Sequence, residues 1–165
     1  MSVSVRLAEP GDGAAIAAIH RGNAAFYLEL LGRDFRLPDE EGLVEFCDPG
    51  PDENSETALA LVAELDGDVA GYLEAQLQPP LETARWQSNP DLAEQRLFIG
   101  VVTVGKAFWR LGVASALVEA AEDWGRERGA KVSTCDTHID SPVSMPFWRD
   151  RAGYRPRGVI FRKEL

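Results

Sequence analysis

Between Val102 and Leu117 an apolar run, Val102-Thr103-Val104, passes through Gly105-Lys106-Ala107-Phe108-Trp109-Arg110-Leu111 and turns at Gly112 into Val113-Ala114-Ser115-Ala116-Leu117. A strand that hands over to a helix in this way exposes the first main-chain N–H groups of the helix. Those groups lack acceptors inside the helix and sit at the positive end of its dipole. Such an end binds phosphate without any lysine. Gly112 and Ala114 are small, so a bulky anion can come close to the main chain. The common phosphate loops do not fit: no Gly-Lys-Ser/Thr triplet is present, and Gly112 with Ala114 supplies only part of a dinucleotide glycine pattern. Read from the loop alone, an unrelated α/β nucleotide binder stays open.

Residues able to move protons are scattered along the chain. Glu74 alternates with Tyr72 and Gln76 on one predicted strand face, Glu29 lies on the first predicted helix, and His138 follows a later strand. The ordinary pKa of histidine suits general-base work best, yet a lone histidine is more often structural. Cys47 and Cys135 offer neither a disulfide framework nor metal-ligand spacing, and no metal site is expected. Cys135 reads as a small core residue, because no partner His or Asp is placed to activate it.

The elements that must position these groups follow from periodicity. Val3 to Leu7 alternates as a strand, and Asp12 after the Glu9-Pro10-Gly11 turn is placed to cap a helix. Ile16, Ile19, Ala24, Tyr27, Leu28 and Leu31 recur at helical spacing up to Gly32. Pro38 is placed to open a short helix around Leu43-Val44-Phe46, and residues 48–54 are loop. Thr57–Glu64 and Val69–Gln78 flank Asp66-Gly67, a strong hairpin signal. Residues 79–94 are irregular, and Leu97–Val104 reads as a central strand covered on both faces. The helix after Gly112 should turn Val113, Leu117, Ala120 and Trp124 inward, with Arg126 and Arg128 at its negative end and Gly129 closing it. Val132–Thr137 is a strand, Pro146–Arg151 a short helix closed by Gly153, and Gly158–Leu165 a final strand.

At 165 residues the chain suits one domain, 1–165, without linker or repeat. Its longest apolar run, Ala58 to Ala63, is far short of a membrane span, and its first residues carry charges where a signal peptide needs an apolar region. The expected location is cytoplasmic. A net charge of −10 argues against nucleic acid. The charge is also uneven. Residues 1–95 hold 5 Lys/Arg against 19 Asp/Glu, whereas residues 96–165 hold 12 against 8. An anionic ligand over the C-terminal half and a cationic acceptor near the N-terminal half suit this field. Asp39, Glu40, Glu41 and Glu45 are clustered in this acidic half.

Taken in order, the Ala63–Tyr72 hairpin, the Val104–Ala114 loop and the Ser141–Tyr154 segment resemble the GNAT N-acetyltransferase superfamily over nearly the whole chain. Trp109 stands where that family usually has Gln or Arg, and Lys106 where it often has Pro. Ser141, Ser144 and Trp148 replace its usual Asn, Ala and Tyr.

The resemblance implies an α/β (α+β) fold: a mixed, mostly antiparallel sheet flanked by helices and splayed at an acyl-CoA site. It implies acetyl-CoA as acyl donor and a primary amine, on a small molecule or a peptide N-terminus, as acceptor. Main-chain groups of Val102, Thr103 and Val104 would hold the pantetheine arm. Trp109, Arg110, Leu111, Gly112, Val113, Ala114 and Ser115 would surround the pyrophosphate, with Arg110 in place of the missing cation. The amine would attack the thioester directly. Glu74 or His138 would remove its proton, and Tyr154, or the Trp148 N–H as hydrogen-bond donor, would meet the leaving sulfur. The resemblance also allows a homodimer. The alternative is an acyl-CoA-binding sensor or module on the same fold that has lost transfer.

Overall fold

Alternating apolar positions in the first eighty residues fold into three adjacent antiparallel strands. In the computed structural model, which describes residues 2–165, these are β1 (Val3–Leu7), β2 (Ala58–Leu65) and β3 (Asp68–Gln78). The sheet continues through β4 (Arg96–Val104), antiparallel to β3, and β5 (Val132–Cys135), parallel to β4, in the order β1-β2-β3-β4-β5. Asp66 and Gly67 both take positive φ (54° and 93°), the geometry that the Asp-Gly signal anticipates for a two-residue hairpin turn. The chain forms two units, 1–135 and 136–165. The first is this mixed sheet with its helices, the α/β architecture that the sequence implies.

Helix α1 (Gly13–Leu31) and helix α3 (Val113–Glu127) cover opposite faces of the sheet. The proof lies in neighbouring residues of β3, whose side chains must point oppositely. Tyr72 packs with Ile16 of α1 and with Ala8, Ala60 and Val62. A Cβ built on Gly71 would lie 2.8 Å from Val113 and 3.1 Å from Leu117, both on α3. The inward side of α3 is Val113, Leu117, Val118, Ala121 and Gly125. The expected Ala120 and Trp124 are only half-buried, because Gly125 instead seats against Leu97 and turns the helix by one position.

The start of α1 is built differently from expectation. Asp12 occupies the cap position but makes no capping bond. Its carboxylate accepts two hydrogen bonds from Arg6 (2.8 Å each) and one from the Glu9 N–H, while Arg6 also reaches Glu64 at 2.8 Å. Asp48, 35 residues further on, accepts from the N–H groups of Gly11 and Gly13 at 2.8 Å and does the capping. The Arg6 guanidinium holds the Asp12 carboxyl below the usual carboxylate range against the opposing effect of burial. A depressed folded-state pKa gives stability that is present above the unfolded pKa of about 3.9 and is lost as pH falls. Asp12→Asn is therefore expected to cost on the order of 2 kcal/mol at neutral pH and to flatten the acid branch of stability. Thermal unfolding between pH 3 and 7 checks both.

Three more expectations change. Helix α2 (Leu43–Cys47) starts after Gly42, which is left-handed at φ 76°; Pro38 instead gives its carbonyl to Arg21 at 2.7 Å. Strand β4 is buried only in its first half: Leu97 and Ile99 are 1% exposed, Val101 is 37%. Residues 158–165 form no strand and are exposed. In the second unit, helix α4 (Ser144–Pro146) runs into a π-turn at Phe147–Arg151, and Gly153 follows at φ 76°.

Candidate functional site

Strand β4 parts from β5 halfway along. Its ladder with β5 covers Arg96 to Ile99 only, while that with β3 runs to Val104 opposite Gly71. From Gly100 to Val104 one edge of β4 thus has no strand beside it among the described residues. The pairing also slips here: Glu74 faces Val101 and Ala75 faces Ile99, which leaves Gly100 as an extra residue. Such a bulge bends the strand and frees main-chain groups from the ladder.

Which groups face the open edge follows from alternation. Gly105 N–H donates to the Ala70 carbonyl at 2.9 Å, so that pair turns toward β3, and Thr103 opposite Tyr72 does the same two residues earlier. Val102 and Val104 therefore present their main chain to the open side. The Val104 carbonyl is already used. It accepts from Trp109 Nε1 at 2.9 Å and from Asn23 Nδ2 at 3.0 Å, and Asn23 also reaches Thr103 Oγ1 at 2.8 Å. The main-chain groups of Val102 and the Val104 N–H remain outside those bonds.

Trp109 is a structural bolt. Its indole ties the loop to the end of β4, and its ring meets Phe26 edge-on at 5.0 Å. After it the chain is forced through two left-handed residues, Arg110 at φ 66° and Gly112 at φ 84°, before α3 begins. Nothing lies within 4 Å of a Cβ at Gly112, so the glycine is required for its conformation rather than for space. The first intrahelical bond runs from the Ala116 N–H to the Gly112 carbonyl at 3.0 Å. The N–H groups of Val113, Ala114 and Ser115 therefore point out of the helix end without acceptors within it. Arg110 is exposed beside them.

On the α1 face a cavity of about 240 Å³ opens over β3 and β4. Glu53, Glu74, Gln76, Phe98 and Gly100 line it, together with Ala58, Leu59 and Ala75. Asn54 fixes the loop that carries Glu53, accepting from Ala60 N–H at 2.8 Å and donating to the Ala8 carbonyl at 3.1 Å. Tyr72, 5% exposed, donates its hydroxyl hydrogen to Glu74 Oε1 at 2.6 Å. Burial, then Glu74, pushes the Tyr72 phenol well above its ordinary range. Burial, then Glu74, also raises the Cys47 thiol. Among the described residues no cluster of three or more His, Cys, Asp or Glu side chains is arranged to hold a metal. No helix there is long and apolar enough to cross a membrane.

The other expected site residues lie in the second unit. Trp148 is 8% exposed and stands between Phe147 and Tyr154, with ring centroids 5.2 and 4.9 Å away. The Tyr154 N–H donates to the Trp148 carbonyl at 2.8 Å. His138 Nδ1 accepts from the Asp140 N–H at 3.1 Å in a local turn. Ser141 is buried, and its Oγ accepts from the Ser144 N–H at 3.0 Å; the Ser144 hydroxyl meets that of Thr137. Glu29 is exposed on α1.

Sequence reasoning passed over Glu53, Asn23 and Gly100 and read Tyr72 only as a strand residue. Asn23 follows the polar His20 and Arg21 on the same helix, so its polarity does not mark it out. Glu53 and Gly100 carry no signal either, since the cavity joins loops and strands remote in sequence.

Residues 24–154 match the model of the Acetyltransferase (GNAT) family. No curated protein matches the chain. Among solved structures it is similar to a mutant of the BH1408 protein from Bacillus halodurans, at 17% identity and TM-score 0.78 over 98% of this chain and 99% of that one. It is similar to an aminoglycoside acetyltransferase, meta-AAC0020, from an uncultured soil metagenomic sample in complex with sisomicin: 16% identity, TM-score 0.61, 99% and 96% covered. It is also similar to AAC(6')-Iy in complex with the bisubstrate analog CoA-S-monomethyl-acetylneamine, at 16% identity and TM-score 0.65, with both chains fully covered.

Proposed function

The chain belongs to the acetyltransferase (GNAT) family, and from that premise we propose that it moves an acetyl group from acetyl-CoA to a cationic primary amine by direct attack. One observation carries the reading. The unpaired edge of β4 leads straight into the N–H-rich start of α3, and the bulge at Gly100 joins that edge to an acid-lined cavity.

In this reading the free main-chain groups of Val102 and Val104 pair with the pantetheine amides as an added strand would. The N–H groups from Leu111 to Ser115 hold the pyrophosphate, with Arg110 beside them as its cation. Thr103 and Trp109 hold the shape of the groove rather than touch its contents. The acceptor enters the cavity as an ammonium, drawn by Glu53 and Glu74. Glu74 takes one proton, and the neutral amine attacks the thioester carbonyl. As the carbon–nitrogen bond forms and the carbon–sulfur bond breaks, the thiolate leaves and the second amine proton is released. A thiol of pKa about 8.5 departs without a dedicated acid, and water takes up the second proton.

The acceptor is a polyamine, an aminosugar or a peptide N-terminus. Sisomicin and neamine-type ligands belong to the similar structures, and the acidic cavity is what supports that class here. Thermal unfolding with acetyl-CoA, using ADP as control, tests the groove. At a hundredfold excess over Kd, stabilisation of about 2.7 kcal/mol is expected from acetyl-CoA and much less from ADP. Equal shifts would point to an adenine nucleotide binder. Thiol release with spermidine, sisomicin and a short peptide bearing a free N-terminus then tests transfer. Stabilisation without any thiol release would leave an acyl-CoA-binding module.

A further inference from the structure

We propose that Tyr72 is a positioning residue for Glu74, holding its carboxylate at the wall of the cavity in the orientation that receives the proton of the incoming ammonium. The proposal rests on the acetyl-transfer reading above.

Tyr72 and Glu74 share a face of β3, since they are two residues apart on a strand. Their surroundings differ sharply. The Tyr72 ring is packed into the core with Ile16, Ala60 and Val62, while Glu74 is exposed at the cavity. A buried phenol must find an acceptor for its hydroxyl or lose that hydrogen bond outright. The acceptor it finds is Glu74 Oε1, at 2.6 Å, within the range of charge-assisted O–H···O⁻ bonds. An exposed glutamate otherwise samples many rotamers. Here one oxygen is tethered to a fixed ring, and Oε2 carries the reactive lone pairs.

The direction of the hydrogen bond is stable across working pH. With the phenol pushed far above its ordinary range, it stays protonated and remains the donor of the pair. Cys47 on α2 has its thiol raised and so stays neutral, and Glu53 is the other charged side chain lining the cavity. Across the ladder, Glu74 lies opposite Val101, next to the extra residue Gly100. The tether thus aims the carboxylate where β4 leaves its regular pairing.

Removing the tether has a signature that loss of packing lacks. Tyr72→Phe keeps the ring in the core and removes only the donor. With the amine that is turned over, kcat and KM are read together. At neutral pH kcat should fall about tenfold while KM for acetyl-CoA stays within about twofold. In a Glu74→Gln background, Tyr72→Phe should have no further effect, because the two residues then act as one unit.

The outcomes separate cleanly. Unchanged kcat in Tyr72→Phe, or an undiminished tenfold loss from Tyr72→Phe in the Gln background, overturns the positioning role and leaves the base intact. Unchanged turnover in Glu74→Gln alone removes the base, and the positioning role with it.

Discussion

Glu74→Gln is expected to lower turnover of an amine acceptor by about 10²- to 10⁴-fold, the usual contribution of a general base, with acetyl-CoA-induced stabilisation unchanged. The amide has the shape of the carboxylate and can still accept from Tyr72, so the core beneath it is preserved. What it lacks is the capacity to take a proton. Glu74 belongs to the cavity wall and not to the open edge of β4 or the start of α3, so cofactor binding and proton removal should come apart. The measurement is kcat against pH together with the acetyl-CoA thermal shift. Turnover within a few-fold of the unsubstituted protein would remove Glu74 from the role of base.

Glu53→Gln offers a graded comparison. Glu53 lines the same cavity, and among the described residues no hydroxyl is shown tethering it as Tyr72 tethers Glu74. Its substitution should raise KM for a cationic amine more than it lowers kcat, as expected for a charge that attracts substrate without touching the transferred proton. High salt should narrow the difference, since screening weakens that attraction.

The sequence made those features visible that depend on neighbours along the chain. Asp66-Gly67 set a hairpin, and its register put Tyr72, Glu74 and Gln76 on one face. Gly112 marked the strand-to-helix turn because only a residue tolerant of positive φ fits there. The features it hid depend on chain segments far apart. Asp48 caps a helix that begins 35 positions earlier, and nothing near Gly13 announces it, so Asp12 looked like the cap. Trp109 read as the loss of a cation, whereas its indole spans back to Val104 and fixes the groove. The Val159-Ile160-Phe161 run looked like a last strand, yet a strand needs a ladder partner, and residues 158–165 have none among the strands of the structure. The bulge at Gly100 is invisible for the same reason: it is a relation between β3 and β4.

The close approach of α3 to the sheet sets where the helix begins, and with it the proposed phosphate site; Gly71 is the contact point. A Cβ there would lie 2.8 Å from Val113 Cγ1, 3.1 Å from Leu117 Cδ1 and 3.1 Å from the Thr103 carbonyl oxygen. Val113 is the first residue of α3 and is 1% exposed, so pressure at Gly71 acts on the helix end that carries the free N–H groups. Gly71→Val is expected to cost about 3 kcal/mol or more by overpacking and also to abolish stabilisation by acetyl-CoA. Val113→Ala alone should cost about 1 kcal/mol by removing buried methyl groups. Combined with Gly71→Ala, it should recover stability relative to Gly71→Ala alone, because the side chain nearest the new methyl is gone. That coupling of favourable sign is a stringent test. Denaturant unfolding of the four proteins in the cycle, each with and without acetyl-CoA, reads it directly. Additive losses would mean that α3 yields elsewhere, and that the Val113 contact does not set where the helix begins.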